Sequence, residues 1–476
     1  MLGAGCLNPN TTVHPTKSAS KIHGWVFGHS LSKIFKIKKG KKMKMNKILT
    51  GALFVMISAA SVFSADEPVK ADAVDKKDTN TTEKKDDSSF EVKALIQVRA
   101  VSGQANSGFA TPLAPGQTYS NTTTQNDFQS VDFNFRRLRL AADYQINKMV
   151  GAVLDLKGEN LIGQPTAATT KIGGIQEAIV WFKPGFLGTT IKAGQFKLPF
   201  SRELASSSTN HIFAESSYVT SLIQENDIGL YLMTQPLELM GNNWGKKLDI
   251  MLSLTNGDGA ADVGNGAKKA EFNGNPGTLA KMLNWRVQIN PFGGPEKDGK
   301  EMSWKDGEEI FSDKMLLSLG AAGAYTSWEG QQGKPLGTDA FSSGKPLHAH
   351  TFDATFFGYG IYLNGEYTFT SGNNVVAYQT YQASLGYNLK LGSMYLMPVV
   401  RYDYQQSDAN KNSVIDDSEK QSSLWIGADL FAIKHNLKFQ AFYNILNNAA
   451  SSKDATKALG KNVIYFQIQS AFGKKV

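Results

Sequence analysis

Cysteine is all but missing from this chain: its 476 residues contain one, Cys6. A lone thiol closes no intramolecular disulfide and builds no cysteine-rich metal site. Long apolar runs are missing too. No stretch of 18 or more apolar residues occurs after residue 65, which argues against helices that cross a bilayer. Acidic residues are absent from the first 65 positions, which carry ten lysines and no arginine. The formal charge of +8 therefore belongs to that segment; without it, 40 basic residues face 42 acidic ones, a net charge of −2. That balance gives no basis for nucleic-acid binding.

The missing acids frame what the N-terminus contains. Lys44, Met45, Asn46 and Lys47 form a basic start, Ile48 to Ala60 a short apolar core, and Ser61 to Ala65 end in small residues before Asp66. This is the layout of a secretory signal peptide over 43–64, cleaved after Ser64 or, as the alternative, after Ala65. Residues 1–42 precede it and read as an over-extended gene start, with translation beginning at Met43 or Met45. Leu2 to Cys6 resemble a lipidation box only faintly, because no apolar segment stands before them. Cys6 is then absent from the exported chain. Residues 65–89 are charged and free of aromatics, so they cannot bury enough apolar area to offset ordering and are expected to form a disordered leader.

From about residue 90 onward a single unit repeats: roughly ten residues alternating apolar with polar, then a turn or loop. In the last unit Ile464, Phe466, Ile468 and Phe472 share one parity and Tyr465, Gln467 and Gln469 the other. Successive side chains of a strand point to opposite faces, so each unit is a strand with one apolar and one wet surface. Ten residues is also the length a tilted strand needs to cross a bilayer. The alternation predicts about sixteen strands, at 90–103, 129–144, 148–159, 174–184, 188–200, 226–238, 245–256, 280–291, 313–327, 346–357, 360–371, 375–390, 393–407, 421–432, 436–447 and 462–472. Long and short connections largely alternate, as in a membrane-spanning antiparallel β-barrel with short turns at one rim and long loops at the other. Residues 292–312 are long where a turn is expected, and 371–374 are short where a loop is expected. In the second strand the apolar parity changes between Phe135 and Leu138; a bulge near Arg136 and Arg137 would restore it and aim Arg137 and Arg139 inward.

Several segments resemble the phosphate-selective porin O and P family. They are Phe135 to Leu140, the stretch Gly194 to Glu203 (GQFKLPFSRE), Pro398 to Asp403, Leu437 to Tyr443, and a last strand ending at Phe472. The resemblance spreads over roughly 130–472. It implies a sixteen-stranded porin in an outer membrane, a homotrimer handled by the barrel-assembly machinery, in which the loop 201–225 folds into the pore and narrows it. Gly194 and Pro199 are read as marking the end of the fifth strand. Residues expected to line or narrow the pore are Lys93, Arg99, Arg137, Arg139, Lys197, Arg202, Glu203, Arg286, Arg401 and Asp403. The family's best-known members bind phosphate through many inward basic residues. Here the inner wall is mixed, with Asp143, Asp155, Glu177, Asp249, Asp353, Glu366 and Asp429 among its acids. The family's terminal Phe is followed here by Gly473 to Val476.

Three further patterns stand out in the sequence. Asp408, Asn410, Asn412, Asp416 and Glu419 have the spacing of a calcium loop, though Ser413 stands where the glycine belongs and strands flank it. His348 and His350 share one face of a strand without a third ligand nearby. Ser206 to Ser208, His211 and Glu215 could suggest a nucleophile and base. The expected function is passive diffusion of small hydrophilic solutes or ions, with anions such as phosphate included, and no catalysis. No cofactor is expected beyond the possible Ca²⁺. The alternative is a surface binding protein or adhesin acting through its long loops.

Overall fold

The computed structural model describes residues 88–103, 131–158, 174–223, 225–241, 244–255, 282–297, 300–301, 304, 307–326, 347–371, 378–407, 420–448 and 461–475. The gene start 1–42, the signal peptide 43–64, nearly all of the leader 65–89, the calcium loop 408–419 and most of the 371–374 connection lie outside them.

Alternation becomes wall. The strands are β1 (Ser89–Gly103), β2 (Asp132–Gln145), β3 (Val150–Lys157), β4 (Gly174–Phe182), β5 (Thr190–Lys197), β6 (Asn226–Thr234), β7 (Leu248–Thr255) and β8 (Met282–Ile289). After a two-residue pair, β9 (Glu296–Lys297) and β10 (Lys300–Glu301), the wall resumes with β11 (Leu316–Thr326), β12 (Leu347–Gly358), β13 (Ile361–Ser371), β14 (Tyr378–Tyr387) and its continuation β15 (Leu389–Leu391). It closes through β16 (Met394–Ser407), β17 (Lys420–Ile433), β18 (Leu437–Asn448) and β19 (Lys461–Lys475). Each strand pairs antiparallel with its neighbours, β8 with β11, and β1 with both β2 and β19. Because β14 and β15 both pair with β16, they count as one strand, and the sheet is a closed barrel of sixteen. Closure removes the unpaired edges that a bilayer cannot solvate.

The faces follow the parity. Val180, Leu230, Leu252, Leu254, Leu283, Ile426 and Ile468 are exposed on the outside, while Gln97, Asp249, Asn284, Arg286, Thr351, Asp403, Asp429 and Gln469 are buried inside. The register between β1 and β2 slips once: Gln97 faces Arg137 and Val98 faces Phe135, so Arg136 is the extra residue of a bulge. That slip turns Arg137 into the lumen. Tight turns close one rim, with Tyr359 and Lys434 at positive φ and Asn147 Oδ1 accepting from the amides of Met149 and Val150 at 2.8 and 2.9 Å.

Some expected boundaries shift. β1 already begins at Ser89, inside the expected leader. β5 stops at Lys197 rather than 200. Gly194 does not end that strand but sits within it, opposite Ile179 and Gly229, at φ +120, where a Cβ would collide with the Ala178 carbonyl. The start of the expected seventh strand is a 3-10 turn, Gly245–Lys247, with Lys247 over the Trp244 ring at 4.5 Å.

Candidate functional site

The chain from 198 to 225, between β5 and β6, lies inside the barrel, and the residues of its two ends explain how it turns inward. Ser201 caps the one-turn helix Arg202–Ala205, its hydroxyl accepting from the Leu204 amide at 2.9 Å. The Glu203 carboxylate accepts from the Ser217 amide at 3.1 Å and from the Ser217 hydroxyl, which folds the loop back on itself. Leu198, Phe200, Leu204 and Leu222 pack in one apolar cluster with Phe196, Tyr231 and Tyr378 of the wall. Ile212 and Phe213 pack in a second, with Trp425, Phe442 and Tyr465.

Charged clamps then fix the loop to the wall. Asp353 on β12 holds two guanidiniums: Arg202 Nε donates to Oδ1 at 2.7 Å and Arg286 Nη1 to Oδ2 at 2.7 Å. Arg202 also reaches Ser318 Oγ at 2.8 Å, and Arg286 reaches the Phe200 carbonyl at 3.1 Å. Gly320 on β11 leaves room for this cluster, since a Cβ there would run into Arg286 and Asp353. Across the lumen, Glu215 binds Arg99, and Arg136 Nη2 at 2.7 Å. Burial alone would raise the Glu215 carboxyl; Arg136 and Arg99 overcome that and hold it below the ordinary carboxylate range. Arg401 Nη1 donates to the Glu215 carbonyl at 3.0 Å, pairs with Asp403 at 3.0 Å, and lies over Phe213 at 4.3 Å. Lys438 donates to the carbonyls of Thr209, at 3.0 Å, and His211. Lys197 pairs with Glu225 at 2.8 Å.

The expected lining residues therefore divide. Arg202, Glu203 and Arg401 border a cleft between the loop and the wall of β13, β14 and β16, whose other side carries Asn364, Gln382 and Ser384. Arg286 and Asp403 are buried and serve as clamp residues rather than free lining. Arg99 is committed to Glu215, and Lys197 to Glu225. Arg137 is buried and donates to Gln97 at 2.8 Å. Arg139 is partly buried on β2. Lys93 sits at the short-turn rim with Glu91 and Asp143, away from the loop.

Arg136, Glu215 and Lys438 matter more than their sequence context suggested. So do the inward glutamines: Gln97 bonds Gln469 at 2.6 Å, and Gln440 bonds Asp429 at 2.9 Å and the Ile212 carbonyl at 2.6 Å. The available signal was their repetition on the wet parity of β1, β18 and β19.

The nucleophile-and-base idea fails. Both ring nitrogens of His211 are buried without a hydrogen-bond partner, and Glu215 is held by arginines. His348 and His350 stack at 6.2 Å on the outward face, and among the described residues no group of three His, Cys, Asp or Glu could hold a metal.

A family model described as "Phosphate-selective porin O and P" matches residues 116–472. The chain belongs to that family. Family and barrel together make it a porin of the bacterial outer membrane, a channel rather than an enzyme. No curated protein matches it. Among solved structures, this porin is similar to OmpF of Salmonella typhi in complex with daunomycin, at 12% identity over 81% of this chain and 98% of that one, with a TM-score of 0.49. It is also similar to an anion-selective porin from Comamonas acidovorans, at 13% identity over 81% and 100% of the two chains, with a TM-score of 0.44.

Proposed function

We propose that this porin passes small hydrophilic solutes and ions through the cleft between the inward loop and the β13–β14–β16 wall, with a weak preference for anions. The carrying observation is how charge is distributed inside the barrel. Most inward guanidiniums already hold a carboxylate, so little charge is left to bind an ion tightly. The halves nevertheless differ. Arg99, Arg136, Arg137, Arg139, Lys157, Lys197, Arg401 and Lys438 accompany Asp155, Glu177, Glu215, Glu225, Asp403 and Asp429 on one side; Arg202 and Arg286 accompany Glu203, Asp249, Asp353 and Glu366 on the other. Inward charge biases which ions enter a pore, and Arg137, bonded to a neutral glutamine, is the main source of the bias.

Export by the 43–64 signal peptide and insertion by the barrel-assembly machinery belong to the same reading. So does a homotrimer. The described parts of strands β3 to β8 are only 8 or 9 residues long, against 11 to 15 elsewhere in the wall once β15 is counted with β14. At about 3.3 Å per residue and a tilt of about 40°, eight residues rise about 20 Å, short of the ~25 Å apolar band of such barrels. A low wall is better covered by a second copy than by lipid.

The test is the reversal potential of the purified protein in a planar bilayer across a salt gradient. A small anion-directed potential that moves toward zero in Arg137→Gln supports the proposal. A cation-directed potential, or one as steep as a purely anion-conducting pore gives, refutes it.

A further inference from the structure

The connection from β8 to β11 is long for the rim of tight turns, and part of it lies inside that mouth. Trp304 is 9% exposed and its ring stands 5.6 Å from the Arg202 guanidinium of the inward loop. Gly307 adopts φ +86 against the same loop: a Cβ there would meet Asn210 Cβ at 2.9 Å and His435 Nε2 at 3.0 Å. The Gly307 carbonyl accepts from His435 Nε2 at 2.8 Å. Beyond it, Glu309 and Ile310 are buried, the Ile310 carbonyl accepts from Asn388, and Phe311 packs edge-on to Phe431 at 5.2 Å and beside Tyr395 at 5.2 Å. Residues 307–311 are thus fastened on Asn388, β16, β17 and the β17–β18 turn, across the mouth from β8. Gly307 also borders the cleft between the inward loop and the wall.

We infer that Trp304 and Gly307 form a second constriction at the periplasmic end of this cleft, and that the size limit is set by both segments rather than by the loop 201–225 alone. This rests on the cleft being the conducting path. A solute that clears Arg202 and Glu203 then meets the Trp304 ring and the Gly307 backbone. The aromatic contacts of Phe311 and the His435 bond hold the sill rigid, so it filters by size and does not yield.

The experiment uses Trp304→Cys in the full chain, measured as single-channel conductance, with folding checked by heat-modifiable migration. The unmodified protein, whose one native thiol is Cys6, is the labelling control. Replacing the ring by a thiol should raise conductance by at least about 1.2-fold, since conductance follows the narrowest cross-section. A bulky thiol reagent added from the periplasmic side should then lower it below the unmodified level. His435→Ala, which frees the Gly307 carbonyl without altering the cleft wall, should increase open-channel noise. The inference is overturned if the unmodified protein conducts while folded Trp304→Cys shows the same conductance before and after complete labelling, or if His435→Ala is as quiet as the unmodified protein. A silent unmodified protein would instead refute the conducting cleft itself.

Discussion

Asp353 anchors the start of the inward loop. It has two guanidiniums on its two oxygens and no exposed side-chain surface. Breaking a buried ion pair from one side leaves the partner charged and desolvated, at a cost of about 3–5 kcal/mol. Asp353→Asn should therefore release the start of the loop while leaving the wall closed. Limited proteolysis should cut between 201 and 225 in the variant and spare the unmodified protein. Gly194 makes the opposite prediction. Its φ of +120 and the approach of the Ala178 carbonyl admit no side chain. Gly194→Ala should strain β5 by about 1–3 kcal/mol and lower the temperature at which the folded band is lost on gels. Neither residue announces its role in the sequence. Gly194 is read there as a strand end because it stands near Pro199, but only the pairing of β5 with both neighbours puts it mid-strand.

Elements show where local rules hold and where they give way. The parity change in β2 has one local solution, an extra residue, and the bulge at Arg136 is that solution. The long connection at 292–312 breaks the turn rule, and the structure gives the reason: its apolar residues, Ile310 and Phe311, reach the wall four to six strands away. His435 fastens this element. Burial pushes its imidazole down to about 3, helped by Lys438 and Lys434 and opposed by the bond to the Gly307 carbonyl. An unfolded histidine titrates near 6.5, so the released turn binds a proton that the docked turn refuses. The docking free energy is thus fully present above the unfolded value and falls as pH drops from about 6.5 toward 3. Open-channel noise should accordingly rise between pH 7 and pH 4 in the unmodified protein and stay flat in His435→Gln. The Glu215 clamp also weakens as pH falls, but below this window. Its carboxyl is held below the ordinary range, so its contribution is lost only in stronger acid.

At the largest scale, the barrel is a wall around an occupied lumen. Aromatic pairs mark both ends of the wall, Phe90 with Tyr144 at 6.3 Å near the tight turns and Tyr381 with Tyr404 at 5.0 Å toward the other rim. Between them the low strands β3 to β8 expose Val180, Leu230, Leu252 and Leu254. If a second copy covers them, light scattering of the detergent-purified protein should give three times the protomer mass. A charge placed at Leu230 (Leu230→Arg) should reduce it to the protomer while the barrel stays folded. A protomer mass for the unmodified protein would mean that lipid covers the low wall.

Sequence by itself settled the wall. Period-two alternation is imposed by the backbone within a few residues, so strand number, which parity faces lipid, and the β2 bulge can all be read locally. It also supplied the inward charges but not their partners. Arg202 and Asp353 lie 151 residues apart, and nothing near either one specifies the other. Their meeting depends on the path of a loop through a closed barrel, which exists only once β19 has paired with β1. That path turned expected lining residues such as Arg286 and Asp403 into buried clamps. For the same reason the cleft and its sill belong to the tertiary structure: they are the space left after distant segments have been tied together.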